Sequence, residues 1–439
     1  MKVWYIRLLI GLVIITSTCN LSAQQKWTLR DCIDYARREN IQVKKARITA
    51  ESSGVDIKQA EAELFPSFSG SVSQSYNHAK DAANDYKYKG LFGGQYSLNA
   101  NWTVFNGKQN VNKVKQAQLE KESKDLYAQE QQNSIEIYIT QTYMQLLYAR
   151  ESIKNNENIV ETSAAQLQQT KDFLDAGSIT LAEYAQVESQ YSSDKYNLVL
   201  AQNSYDNYLL QLKQLLELDI MDEFEPDFPN IDDNEIETLI PSKYEVYHTA
   251  LQIMPEIKSN KLGIDIAEIE KSTAKGGYLP TISLNGSLGT SNTWNSSYPA
   301  LSTQLNRNFN QYIGVTVSIP IFDNRKNKSN VERANLQIKT AELSYTQAQK
   351  DLFSTIENLY QDAVSGRSNY NAAKDKLASS ELSYRLVREQ YELGMRNTVE
   401  LTTEQNNYAN ALQELLQAKY TALLSLKLLN FYQGQEITL

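Results

Sequence analysis

The sequence predicts a mixed α and β membrane protein with four β-strands per chain. Three chains would close a trimeric 12-stranded β-barrel, continued by a long α-helical coiled-coil barrel and built from tandem duplicated halves. Three observations carry this. No proline occurs between Pro66 and Pro226 or after Pro320, stretches of 159 and 119 residues that read as very long helices. Four short segments alternate apolar and small polar residues with a period of two. Landmarks of the first half return in the second at a near-constant offset.

The N-terminus comes first. Lys2 and Arg7 flank the start of an apolar run, Leu8 to Ile15, which is followed by Leu21-Ser22-Ala23. This is a secretory signal peptide over residues 1–23, too short to span a bilayer, which takes about 20 apolar residues. Cys19 opens a lipoprotein reading, but Thr18 before it is a poor match, and lipidation stays the lesser reading. Cleavage would leave Cys32 as the single cysteine, so no internal disulfide is expected. With His78 and His248 the only histidines, no metal site and no cofactor is expected.

The composition narrows the rest. Against 43 Lys+Arg stand 52 Asp+Glu, a net charge of −9 without a basic run, which argues against a nucleic-acid partner. Only 17 Gly and 8 Pro argue against an all-β globule built on tight turns.

The repeat is legible in several places. Leu64-Phe65-Pro66-Ser67-Phe68 answers Tyr278-Leu279-Pro280-Thr281-Ile282, and Trp102 to Gly107 answers Ile319 to Asn324. Gly177 answers Gly394 and Tyr191 answers Tyr408, both at an offset of 217. Each half therefore reads helix, strand, loop, strand, long helical hairpin. The first repeat covers 24–218 with strands at 66–76 and 95–105. The second covers 243–432 with strands at 280–288 and 311–321, and a tail follows at 433–439.

In the strands Phe68, Val72 and Tyr76 fall opposite Ser67, Ser69, Ser71, Ser73 and Ser75. Tyr96, Leu98, Ala100, Trp102 and Val104 fall opposite Gln95, Ser97, Asn99, Asn101 and Thr103. The second half repeats the pattern, with Ile282 and Leu284 against Ser283 and Asn285, and Val315 and Val317 against Thr316 and Ser318. The polar face is uncharged, which favours a barrel lumen over the wet face of a soluble sheet. On that reading Ser69, Ser71, Asn99, Asn101, Ser283 and Asn285 line the lumen and the apolar face meets outer-membrane lipid. Residues 77–94 and 289–311 read as exposed loops. Four strands cannot close a barrel and lipid does not tolerate open edges, so a homotrimer follows.

The helices fit this plan. A run from about Lys108 to Leu174 would extend roughly 100 Å. In the second half Ile338, Ala341, Tyr345, Ala348, Leu352, Ile356, Leu359 and Ala363 form a narrow seam at 3- and 4-residue steps. A periplasmic coiled-coil adaptor would have such helices too, but it leaves the strand pairs unexplained.

Together these landmarks resemble the TolC family of outer-membrane efflux channels over essentially the whole mature chain. The resemblance rests on Trp27-Thr28-Leu29-Arg30-Asp31-Cys32-Ile33, Pro66 and Pro280 at strand entries, and Phe322-Asp323 at a strand exit. The glycine turns Ala176-Gly177-Ser178 and Leu393-Gly394-Met395 complete it. It implies a conduit through the outer membrane and periplasm of a Gram-negative bacterium. Such a channel serves a tripartite efflux or type I secretion system, working with a periplasmic adaptor and an inner-membrane pump, and is not an enzyme.

For the site residues the resemblance implies two features. The tips at Gly177 and Gly394 would meet the adaptor. Arg396, Glu183, Tyr391 and Glu400 would form a periplasmic gate, with Glu400 in a ring of carboxylates. The family's second ring acid falls on Thr403 here, with Glu404 the nearest substitute, and Glu replaces the family's Asp at 183 and 400. Independently, no nucleophile elbow, phosphate loop, dinucleotide fingerprint or HExxH occurs. The acidic segment 219–242 lacks the spacing of a calcium loop and reads as a solvated linker, which the resemblance places at the equator of the helical barrel.

Overall fold

The computed structural model describes residues 26–81, 87–219, 221–229, 231–294 and 299–439. The signal-peptide reading of 1–23, with Cys19, lies outside the described residues.

The duplication is visible as geometry. In the first half α1 (Leu29–Glu39) and α2 (Ile41–Ala62) precede β1 (Ser67–Asp81) and β2 (Lys87–Asn106). Then follow α3 (Gln109–Asp175) and α4 (Leu181–Leu215). The second half gives α5 (Lys243–Ile253), α6 (Pro255–Gly276), β3 (Thr281–Trp294), α7 (Leu301–Arg307) and β4 (Asn310–Ser318). It ends with α8 (Lys326–Glu392) and α9 (Thr398–Tyr432). Matching helices have equal lengths: 11, 22, 67 and 35 residues in each half. Among the described residues every positive φ recurs 217 positions on. Gly107 pairs with Asn324, Lys108 with Arg325, Gly177 with Gly394, and Glu217 with Gly434. Left-handed backbone is strained for most residues, so the duplication retained these turns even where glycine was lost.

Contacts divide the chain into two compact units, each drawing on both halves: residues up to 43 with 132–250 and 354–439, and 44–131 with 251–353. The second unit holds the sheet, in the order β1-β2-β3-β4, all antiparallel. Where β2 turns into α3, Gly107 lies against the end of α6. A Cβ there would stand 2.2 Å from the Gly276 carbonyl oxygen, so the close approach requires glycine. Lys113 pairs with Glu63 at 2.6 Å, and Asn112 donates to the Ser272 hydroxyl at 3.0 Å, joining the helices that flank the sheet.

The strands depart from the expected bounds. Residues 77–94 are not a free loop, since β1 runs on to Asp81 and β2 begins at Lys87. Backbone pairing carries the hairpin outward after side-chain alternation fades, and the Tyr76 ring fills the space a Cβ on Gly90 would need. Likewise β3 extends to Trp294, and α7 occupies part of 289–311. β4 stops at Ser318, short of 321, because Pro320 has no N–H for the ladder. A bulge at Val104 brings Phe105 opposite Ile282 and ends the strict alternation there.

The first unit has its own core. Cys32 and Ile33 of α1 are fully buried, as are Ile139, Tyr143 and Leu146 of α3; each such aliphatic side chain contributes about 1.5–3 kcal/mol. Thr28 and Asp31 form a capping box that starts α1. The acidic linker is pinned rather than loose. Trp27 bridges to Pro226, and the Tyr143 hydroxyl donates to the Asp227 carbonyl at 2.6 Å. Lys419 pairs with Asp233 at 3.1 Å and Lys427 with Glu235 at 2.9 Å. These cations offset two of the acids in the segment. Among the described residues no group of His, Cys, Asp and Glu is arranged to hold one.

Candidate functional site: a two-faced sheet and a pair of hairpin tips

The ladder registers sort the strand residues by face. Ser69 pairs with Asn99, Ser71 with Ser97, and Ser67 with Asn101, which continues to Asn285; Thr103 continues to Ser283 and Thr316. All six residues expected on a polar face share one face. Some bond other polar residues of that face: Ser71 and Ser97 hydroxyls lie 2.7 Å apart, and Asn285 donates to the Thr316 hydroxyl at 3.1 Å. The opposite face carries Phe68, Val72, Leu98, Leu288, Ile313, Val315 and Val317, with Val72 72% and Ile313 78% exposed. An aromatic row bounds it at each end. Tyr76 and Phe92 rings are 5.5 Å apart and Phe92 pairs with Trp294; Phe68, Trp102 and Phe105 stand at the other end. Along β2 the rise from Phe92 to Trp102 is about 34 Å, or about 26 Å at the usual strand tilt, against an apolar band of about 25 Å.

The helical hairpins turn at two matching tips. At the first, Ser178 donates to the Phe173 carbonyl and Gly177 to that of Leu174, both at 2.9 Å. At the second, Met395 donates to Gln390 at 2.8 Å and Gly394 to Tyr391 at 2.9 Å. These are Schellman ends, with φ of +70° and +72° at the glycines. A Cβ on either would meet open space. Glycine is required here by φ, not by packing.

Each tip then opens its next helix with a capping box. The Thr180 N–H and hydroxyl donate to Glu183 at 2.7 and 2.9 Å. Asn397 N–H donates to Glu400 Oε2 at 3.1 Å, while the Glu400 N–H donates back at 2.9 Å. Arg396 Nη1 reaches Glu400 Oε1 at 2.7 Å and its Nε reaches Gln390 at 2.8 Å. Hydrogen bonds from Thr180 hold the Glu183 carboxyl below the usual glutamate range; the Asn397 N–H and then Arg396 do the same for Glu400. Both caps are therefore intact at neutral pH and weaken only as pH falls through that range.

Of the four residues expected to form a gate, the structure joins Arg396 and Glu400 directly. Glu183 is held by its own cap. Tyr391 is buried, its hydroxyl 3.5 Å from that of Thr170 and its ring against Phe173. All four line one cleft of about 620 Å³, with Phe173, Ile179, Leu393, Met395 and Thr398. Sequence reasoning missed Thr180, Asn397, Gln390, Thr170 and Phe173. The capping pattern S/T/N-x-x-E was present twice as a signal for the first two.

Comparison with known proteins follows the same division into halves. A family model described as outer membrane efflux protein matches residues 32–217 and 246–435. The chain belongs to that family. Outer membrane protein TolC of Escherichia coli is 23% identical over 92% of this chain and 81% of its own length. The alkaline protease secretion protein AprF of Pseudomonas aeruginosa is 21% identical over 69% of this chain and 62% of its own. The Campylobacter jejuni CmeC outer membrane channel superposes with a TM-score of 0.79 at 19% identity, covering 93% of this chain and 87% of that one. The resemblance read from the landmarks thus holds, and the family is one of channels rather than enzymes. Among the described residues no helix is long and apolar enough to cross a membrane.

Proposed function

We propose that this outer-membrane efflux protein works as a homotrimer, with four strands from each chain closing a 12-stranded barrel. It conducts substrates across the outer membrane of a Gram-negative bacterium, from a tripartite efflux or type I secretion system. One observation carries the reading: a sheet with an uncharged polar face, an exposed apolar face, and unpaired edges at β1 and β4. An apolar face of this height is unstable in water, and open edges are unstable in lipid. Closure with further copies satisfies both. The family match favours this over the adaptor reading. Membrane fractionation with heat-modifiable migration tests it; release of the mature protein without detergent would end it.

The polar face is then the lumen. Cysteine at Ser69 or Ser71 is expected to react with a membrane-impermeant thiol reagent, and cysteine at Val72 to stay protected by lipid. Native Cys32 gives no background, since burial pushes its thiol up to about 12 and only the thiolate reacts. The opposite labelling pattern would invert the barrel.

The tips meet a periplasmic adaptor that links the channel to an inner-membrane pump, and nothing in this arrangement performs catalysis. Gly394→Trp should strain the turn by about 1–2 kcal/mol, too little to unfold the hairpin, while placing a bulky ring in open space at the contact. Transport should fall to background with trimers retained in the membrane. Loss of the trimers would reduce Gly394 to a structural turn.

A further inference from the structure

Asp194, near the middle of α4, is 4% exposed. Its Oδ1 accepts from Gln190 at 2.9 Å and its Oδ2 from Gln405 of α9 at 3.2 Å, while the Ser163 hydroxyl of α3 donates a third bond. Tyr384 of α8 closes the fourth side, with its hydroxyl buried and unpartnered and its ring stacked on Tyr408 at 5.6 Å. One carboxylate thus ties α3, α4 and α9 together and acts electrostatically on Tyr384 of α8. The neighbouring rungs between α4 and α9 are neutral: Gln190 and Asn406 exchange bonds at 3.0 and 3.1 Å, and Gln186 donates to Thr402 at 3.3 Å. Charged side chains nearby act on other groups, Arg388 and Glu392 on Tyr384, Glu381 on Tyr408, and Lys195 over the Tyr191 ring. Beside Asp194 opens a cavity of about 360 Å³ whose mixed lining includes the amides of Asn156, Asn197, Asn406 and Asn410 beside Ile159 and Leu200.

A carboxylate in this position has two competent states. Ionised, it accepts three hydrogen bonds but is poorly hydrated. Protonated, it becomes a donor, and the Gln405 amide can turn its oxygen to accept. Burial holds its proton affinity above that of an ordinary aspartate. A raised affinity in the folded state gives stability that is complete in acid and is lost as pH rises through the folded value.

We propose that Asp194 is a proton-controlled clamp on the hairpin helices α3, α4 and α9: protonated, it locks the α4–α9 rungs, and ionised, it draws water into the neighbouring cavity and loosens them. Parting of the tips is then easier at neutral pH than in acid. That consequence rests on the channel reading, whereas the clamp itself is set by contacts within one chain.

Hydrogen–deuterium exchange of the full-length protein in detergent separates the two. Measured over a pH series that starts in the ordinary aspartate range and rises to about pH 8, and corrected for intrinsic rates, α4 and α9 amides should exchange more slowly at the acid end. The Glu183 and Glu400 caps weaken as pH falls, the opposite sign, so they cannot mimic slower exchange in acid. Asp194→Asn, a neutral isostere, should exchange slowly throughout the series, so that the response is lost. Gln405→Glu places a second carboxylate beside the first and should enlarge the response. A wild-type response retained in Asp194→Asn overturns the proposal, as does an unchanged response in Gln405→Glu. Because exchange is read within the chain, failure of the channel reading would leave this result standing.

Discussion

Arginine in place of Val72 is expected to prevent accumulation in the outer membrane, whereas arginine in place of Ser71, one residue away, is expected to be tolerated. Val72 pairs with Tyr96 on the apolar face and is largely exposed within one chain. Placed near the bilayer midplane, a charge there costs about 2–4 kcal/mol, while lumen positions lie in water and lose little. Marginal stability makes such a loss large relative to the whole. The pair is informative because both variants add the same side chain to the same strand, so general effects on folding or export cancel. Membrane-inserted trimer, measured by heat-modifiable migration, should fall strongly for Val72→Arg and stay near wild type for Ser71→Arg. Equal loss in both would mean that the face is buried against protein rather than lipid.

That contrast was legible in the sequence because a strand side chain can take only two directions. Once Ser71 and Val72 were opposed, the ladder fixed the rest, down to Asn101 facing Asn285 two strands away. The hairpin ends were less legible. Beyond Tyr76 the sequence no longer alternates apolar with polar residues, and backbone hydrogen bonds hold the strands without leaving a side-chain period. The helix interiors were harder still. Asp194 sits among Gln, Asn and Ser and reads as one more solvated residue until three helices are seen to meet at it. At the tips the residues were found but their local work was not. Glu183 and Glu400 were read through a resemblance, as members of a gate. Their spacing from Thr180 and Asn397 states a simpler role, capping the helix that each begins. Tyr391, also assigned to the gate by the resemblance, packs inside the tip against Phe173.

Capping does not exclude a gate, and variants at Glu400 can separate the two. In a trimer three copies of Glu400 would surround one constriction, each carboxylate held ionised by Asn397 and Arg396. A ring of carboxylates favours cations and binds multivalent cations as blockers. Glu400→Gln keeps an oxygen to accept from the Asn397 N–H, as Gln does in capping boxes, but removes the charge. It should abolish cation selectivity and block by multivalent cations while leaving thermal stability unchanged. Glu400→Ala removes cap and charge together, so it should show the same loss of selectivity with a lower unfolding midpoint. Arg396→Ser frees the carboxylate from its cation and from the strut to Gln390. It should raise single-channel conductance and strengthen cation preference. Planar-bilayer recording of the three variants, beside their thermal midpoints, distinguishes the outcomes. Selectivity unchanged in Glu400→Gln would leave Glu400 a cap and move the constriction elsewhere along the hairpins.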